Sequence, residues 1–259
     1  MQFITGARAR WPGSTDATFA LLPCGGDAVA EIPSQRWVVS RTPWPAGRYG
    51  SFISRAECFA GTFFGVSPAE SSATDPQQRL LLEYGYSSLH AAHERRETLR
   101  GADIGVFLGI MNADFNAMFI ENDSVYAATG GTISIAAGRL SFVLGTQGPC
   151  ASYDTACSSA LVAAHAAASA MRQHECISGL VLTVSLMLSP QVVIGSNANL
   201  TPRYLNDRAD LWVSHCFCSP RHTTCTPVQA CFQRTDVARH SMRVRTVTRV
   251  AKVLAHSLS

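Results

Sequence analysis

Cys157 is the residue in this sequence whose neighbours most suggest covalent chemistry. It stands in the run Gly148-Pro149-Cys150-Ala151-Ser152-Tyr153-Asp154-Thr155-Ala156-Cys157-Ser158-Ser159-Ala160-Leu161-Val162-Ala163-Ala164-His165. An extended segment here is expected to turn sharply into a helix, with Cys157 near the helix start. Ala156, Ser158, Ser159 and Ala160 are small enough to let a substrate approach the sulfur. A helix N-terminus presents unpaired N–H groups and the positive end of the dipole, which favour a thiolate. A thiolate so placed is suited to accept an acyl group as a thioester. Spacing alone leaves open the alternative of a small buried core cysteine.

No histidine is an obvious base for that sulfur. His165 is eight residues further along the same helix, about 12 Å along its axis, which is too far for a hydrogen-bonded pair. A helix-packing role suits it better. His90 and His93 fall at the polar end of another helical segment, and His174 at a helix end, where a cation suits the dipole. His215, Cys216, Cys218, His222, Cys225 and Cys231 form the only metal-like cluster. Zinc ligands come as pairs two to four residues apart, and Cys216-x-Cys218 is too tight for that. No metal site is expected.

The elements that must position Cys157 follow from periodicity and punctuation. Up to about residue 50 the chain reads as loop-rich, with Trp11-Pro12-Gly13, Cys24-Gly25-Gly26 and Pro43-Trp44-Pro45 as turn signals. A helix begins at Asp75-Pro76, with proline at a first helical position, and continues towards Leu89. Asp103 to Ile110 is a glycine-bounded apolar run that reads as a buried strand. Thr132 to Phe142 looks helical, and Ala151 to Tyr153 is a short extended entry. Ala160 to Met171 is alanine-rich and apolar on nearly all sides, which predicts a helix buried in the core. Gly179 to Leu188 is rich in β-branched residues and reads as a central strand. Strands alternating with helices give an α/β fold with a largely buried sheet.

Composition sets limits on function. With 47% hydrophobic and 15% charged residues over 259 positions, the chain can bury a substantial core. A net charge of +3 is too small to argue for nucleic acid as a partner. Arg8 and Arg10 interrupt the start where a signal peptide needs an apolar run. The strongly apolar stretch Ile177 to Leu188 is too short to span a bilayer. The expectation is a cytoplasmic, non-membrane protein whose nine cysteines stay reduced. After Pro202 the character changes. Residues 203–259 hold eight arginines and one lysine against Asp207, Asp210 and Asp236, and none of the chain's 19 glycines. Two segments are therefore expected: 1–202 as a folded domain, and 203–259 as a basic, glycine-free tail outside its fold.

The run DTACSSALVAAH resembles the active-site signature of β-ketoacyl synthases of polyketide and fatty-acid synthases, where the cysteine of D-T-A-C-S-S accepts the acyl group. Other segments agree, in the same order. Arg10-Trp11-Pro12-Gly13 resembles R-F-P-G, and Phe63-Phe64-Gly65-Val66-Ser67-Pro68-Ala69-Glu70 resembles F-F-G-I-S-P-R-E. The segment from Asp75 to Glu83 matches D-P-Q-Q-R-L-L-L-E of the modular, polyketide-like branch. Ala136-Ala137-Gly138-Arg139-Leu140-Ser141-Phe142 and Leu186-Met187-Leu188-Ser189-Pro190 are similar to segments before and after the active site. The resemblance covers about residues 4–202 and implies a thiolase-like α/β fold of α-β-α-β-α layers, of which this chain supplies the N-terminal half. It implies Cys157 as catalytic nucleophile and no cofactor, acyl groups arriving on the phosphopantetheine of an acyl carrier protein. It also implies a homodimer formed through the N-terminal half, around residues 103–165.

Two departures bear on function. The family's paired glycines before L-M-L-S-P are replaced by Leu182-Thr183, which puts strand packing near the site in question. The G-R-C-K-x-F-D, H-G-T-G-T, N-I-G-H and G-F-G motifs are not found after Pro202. The family's two histidines promote malonyl decarboxylation and stabilise the developing charge. The expectation is a β-ketoacyl synthase-type acyltransferase, incomplete in this chain. The alternative is a non-catalytic dimerisation or carrier-protein-binding module related to ketosynthases.

Overall fold

A computed structural model describes residues 3–10, 29–37, 49–111, 113–118, 125–190 and 213–219. In chain order the strands are β1 (Phe3–Arg10), β2 (Val29–Glu31), β3 (Tyr49–Ser51), β4 (Ile104–Ile110), β5 (Cys150–Tyr153), β6 (Ser178–Val184) and β7 (Val213–Ser219). The helices are α1 (Gly61–Phe64), α2 (Pro68–Ser72), α3 (Pro76–Ala91), α4 (Arg96–Leu99), α5 (Asp114–Met118), α6 (Ala127–Gly130), α7 (Ile133–Leu144) and α8 (Ser159–Arg172). Five strands form one sheet in the order β1-β7-β6-β4-β5, and β2 pairs with β3 in a separate ribbon. β4 runs parallel to both β5 and β6, while β7 is antiparallel to β6 and β1. This is the thiolase-like α/β half expected from the resemblance.

All seven residues of β4 and of β6 are buried, as an apolar run covered on both faces should be. Alternation along each strand divides their side chains between two clusters. Val106, Leu108, Ile110, Leu180, Leu182 and Val184 join Leu80, Leu81 and Leu89 of α3 and Leu140 of α7. Phe107 and Val181 point the other way, onto Ala163, Ala167 and Ala170 of α8. α8 is therefore buried along one face only, and His165 is exposed. The expectation of a helix enclosed on all sides is corrected: alanine carries no sidedness signal, so an alanine-rich helix reads as apolar all round whichever face packs. His165 likewise does not pack against this sheet. No described helix is long and apolar enough to cross a membrane.

Three segments differ from the sequence reading. β1 lies in the stretch read as loop-rich, where Ala7-Arg8-Ala9-Arg10 alternates with strand period. The apolar run from Gly179 leaves the sheet after Val184, short of Leu188. The region set apart after Pro202 supplies β7, which sits between β1 and β6. Residues 203–212 and 220–259 of that region, with His222, Cys225 and Cys231, lie outside the described residues.

Helix α3 is fixed at its start by buried polar contacts. Asp75 is its N-cap: Oδ1 accepts from the Gln77 backbone N–H at 2.7 Å, and Oδ2 accepts from the Gln77 side-chain amide at 3.3 Å. The backbone N–H of Asp75 donates to the carbonyl of Gly130 at 2.8 Å. Asp75 is only 2% exposed, and this burial pushes its carboxyl up to about 6, with Gln77's hydrogen bonds opposing the shift and nearby Asp114 adding to it. An unfolded aspartate titrates near ~3.9. The folded state therefore holds this proton more tightly, and its stability should fall as pH rises from about 4 through 6. The loss is on the order of 3 kcal/mol, as two pKa units imply. Asp75→Asn keeps an acceptor for the Gln77 N–H but cannot titrate. Urea unfolding between pH 4 and 7.5 should show wild type losing stability relative to Asp75→Asn as pH rises. Parallel curves would contradict the burial argument.

Candidate functional site

Cys157 sits in a single 3-10 turn, Ala156–Ser158, between the end of β5 and the start of α8. Asp154, Thr155, Ala156 and Cys157 are all exposed. Ala156 adopts φ +54°, a left-handed conformation that costs a residue with a Cβ about 1–2 kcal/mol. The neighbouring residues supply what holds it. The Ala156 N–H donates to Asp154 Oδ1 at 3.2 Å, and the Thr155 N–H donates to Ser159 Oγ at 2.8 Å. Ser159 Oγ in turn donates to the Ala156 carbonyl at 2.7 Å. Ser158 Oγ donates to the Thr155 carbonyl at 2.8 Å and lies 2.9 Å from Thr155 Oγ1. Every other residue of D-T-A-C-S-S thus ties the turn together, and Cys157 is left at its exposed apex.

The turn is carried by the sheet beneath it. In β4, Gly109 pairs with Tyr153 of β5 on one side and Thr183 of β6 on the other. A Cβ on Gly109 would fall 2.8 Å from the Ser159 carbonyl carbon and 3.0 Å from the Ala160 nitrogen. The first turn of α8 therefore rests on bare β4 backbone, which fixes the height of Cys157 above the carboxyl ends of three parallel strands. Sites in α/β sheets form in that position. The Ser158 N–H donates to the Thr155 carbonyl at 3.3 Å and the Ser159 N–H to the Ala156 carbonyl, which closes the turn at the start of α8.

Residues of the other motifs tie neighbouring elements together. Arg139 of α7 forms an ion pair with Glu70 of α2. Gln78 Nε2 donates to the carbonyls of Thr129 and Thr132 at 3.4 and 3.3 Å. Gln77 Oε1 accepts from the Leu186 N–H at 3.0 Å, and Asp114 Oδ2 accepts from the Leu188 and Ser189 N–H groups at 2.7 and 3.0 Å. The sequence reading singled out Gln77 and Gln78 only as part of a motif, and Asp114 not at all. An acidic residue four positions after a buried strand was the available signal.

The Leu182-Thr183 departure is accommodated. Leu182 is fully buried, and Gly85 of α3 leaves the space: a Cβ there would meet Leu140 at 3.3 Å and Leu182 at 3.6 Å. β6 stays paired with β4 from Ser178 to Val184. His90, His93 and His174 are exposed, as expected, and so is His165, two turns along α8. Of the other described cysteines, Cys58 and Cys150 are exposed and Cys176 is buried. Burial pushes the Cys176 thiol up, which makes it a poor nucleophile.

Comparison with known proteins agrees with this geometry. The model of the β-ketoacyl synthase N-terminal domain matches residues 3–203. The phenolphthiocerol synthesis polyketide synthase type I of Mycobacterium bovis is 40% identical over 204 residues, covering 74% of this chain and 10% of that protein. An erythronolide synthase of Saccharopolyspora erythraea is 40% identical over 194 residues, covering 72% of this chain and 6% of its own length. Among solved structures, the ketosynthase from module 6 of the bacillaene synthase of Bacillus subtilis superposes with TM-score 0.76 at 29% identity, over 85% of this chain and 40% of that one. An oxazolomycin ketosynthase domain of Streptomyces albus gives TM-score 0.74 at 26% identity, over 85% and 43%. The chain spans a small part of these synthases and about two fifths of the ketosynthase structures.

The contact between Gly109 and Ser159 is directly testable. Gly109→Ala drives a methyl into backbone, which cannot swing aside as a side chain would. The expected cost is about 1–3 kcal/mol, read by urea unfolding. A variant as stable as wild type would show that the α8 start is not seated on β4.

Proposed function

The chain belongs to the β-ketoacyl synthase family through residues 3–203, and from that membership we propose that Cys157 accepts an acyl group from an acyl-carrier-protein thioester. The single observation that carries this reading is the position of Cys157, exposed at the apex of a strained turn at the N-terminus of α8. The step is a thioester exchange. The Cys157 thiolate attacks the acyl carbonyl carbon and forms a new C–S bond. The bond to the phosphopantetheine sulfur breaks, and that thiol leaves with the carrier protein. The exposure of Cys157 beside the small residues Ala156, Ser158 and Ala160 supports the reading, since it leaves a thioester room to reach the sulfur. In the full family reaction the acyl group then condenses with a carbanion formed by decarboxylation of malonyl-carrier protein. Acylation is the step we assign to the residues present, which include D-T-A-C-S-S. No cofactor of its own is needed for either step.

A homodimer is part of the same proposal. β5 is the edge strand of the described sheet, and its residues are exposed or half-buried. Next to it in sequence, Phe142 of α7 is 86% exposed. An apolar side chain beside an open strand edge supports pairing with a second copy.

Two outcomes are expected. The native chain treated with a short acyl thioester, digested and mapped by mass spectrometry, should carry the acyl group on Cys157, with Cys157→Ala losing it. The same wild-type chain given malonyl-carrier protein should form no β-ketoacyl product above the Cys157→Ala control. Acylation spread evenly over the cysteines would defeat the assignment and leave the carrier-binding module as the better reading. For the dimer, Phe142→Glu should shift the sedimentation coefficient from dimer to monomer. A mass unchanged by that substitution would remove α7 from the interface.

A further inference from the structure

Beyond Val184 the chain leaves the sheet, and residues 185–188 are neither strand nor helix. Backbone N–H groups in such a buried segment still need acceptors, and here side chains supply them. Leu186 donates to Gln77 Oε1, while Leu188 and Ser189 both donate to Asp114 Oδ2. Asp114 is the first residue of α5, which follows β4, and it is only 7% exposed. Its Oδ1 is buried without a hydrogen-bond partner, so the carboxylate is committed to those two N–H groups. One carboxylate oxygen holding two amides is a directional anchor.

We propose that Asp114 is a positioning residue for acyl transfer, fixing the Leu186–Ser189 backbone at the rim of the Cys157 site; this rests on the reading of Cys157 as acyl acceptor. The strands that carry these parts end together. Gly109 stands opposite Tyr153 and Thr183, and Ile110 opposite Val184. The Cys157 turn follows β5, Asp114 follows β4, and the anchored segment follows β6. Asp114 therefore ties what leaves β6 to the strand whose Gly109 carries Ser159. Met187, half-buried between two anchored amides, is presented by a backbone that cannot shift independently of β4. A thioester entering over the carboxyl end of the sheet meets a wall with fixed geometry.

The test compares wild type, Asp114→Asn, Asp114→Ala and Asp114→Glu in the full chain. Two readouts are taken: amide hydrogen exchange at Leu188 and Ser189, and the rate of Cys157 acylation by a short acyl thioester. In Asp114→Ala, exchange at Leu188 and Ser189 should rise while Val181 to Val184 stay protected, and acylation should slow by about 10- to 100-fold, as misplacement of a substrate-facing wall does. Asp114→Asn keeps a neutral acceptor and should restore most of both. Should Asp114→Ala not fold, Asp114→Glu is decisive, because it keeps the charge but displaces the anchored amides, and it should be slow. A wild type that is not acylated sinks the acyl-acceptor reading, and the positioning role with it. A wild type that is acylated, alongside Asp114→Ala or Asp114→Glu acylated at the same rate or with unchanged amide exchange, overturns the positioning role alone.

Discussion

The backbone-to-backbone approach of β4 and α8 at Gly109 is the constraint on which the rest of the site depends. β4 is covered on both faces, by α3 and α7 on one side and α8 on the other. A helix in that position can bring its N-terminus down onto the strand only where the strand has no side chain. Gly109 is that place, with Ser159 and Ala160 as the residues received. Ala163, Ala167 and Ala170 keep the remainder of α8 equally close to Phe107 and Val181. Helix position is therefore set by small residues on both partners, and the turn just before the helix has little freedom left.

That lack of freedom explains a non-glycine residue with positive φ at Ala156. Strain of about 1–3 kcal/mol persists only where the surroundings over-determine the conformation. Here five hydrogen bonds among Asp154, Thr155, Ala156, Ser158 and Ser159 do so. The result lifts Cys157 out of the packed layer. Elsewhere at this end of the sheet a similar division holds: buried side chains from α3 and α5 satisfy the irregular backbone beyond β6. The D-P-Q-Q motif thus holds the backbone beyond β6 through Gln77 and Leu186, with Gln77 fully buried.

How much of this was legible in the sequence depended on whether the signal was local. α3, α7, α8 and β4 each carry a period or a composition that no neighbour can erase, and they lie close to where the sequence put them; β6 begins where expected but ends at Val184. The D-T-A-C-S-S run located the turn. Its left-handed residue stayed hidden, since no glycine marks Ala156. β1 and β7 depend on pairing across more than 200 residues, Phe3 opposite Ser219; nothing near Trp11-Pro12-Gly13 or in the glycine-free segment announces it. The apolar run to Leu188 showed where a strand could continue but not where its partner stops. Ile110 ends β4 opposite Val184, and from there Asp114, invisible to periodicity, takes over the backbone.

We propose that a strained, hydrogen-bonded turn seated on β4 presents Cys157 for acylation. A crystal structure of the chain after reaction with a short acyl thioester tests it most directly. The expected result is continuous density from Cys157 Sγ to the acyl carbonyl, Ala156 still at positive φ, and the Ser159 hydroxyl bridging Thr155 and Ala156. An acyl group on another cysteine, or Ala156 relaxed to negative φ with the start of α8 lifted from Gly109, would contradict it.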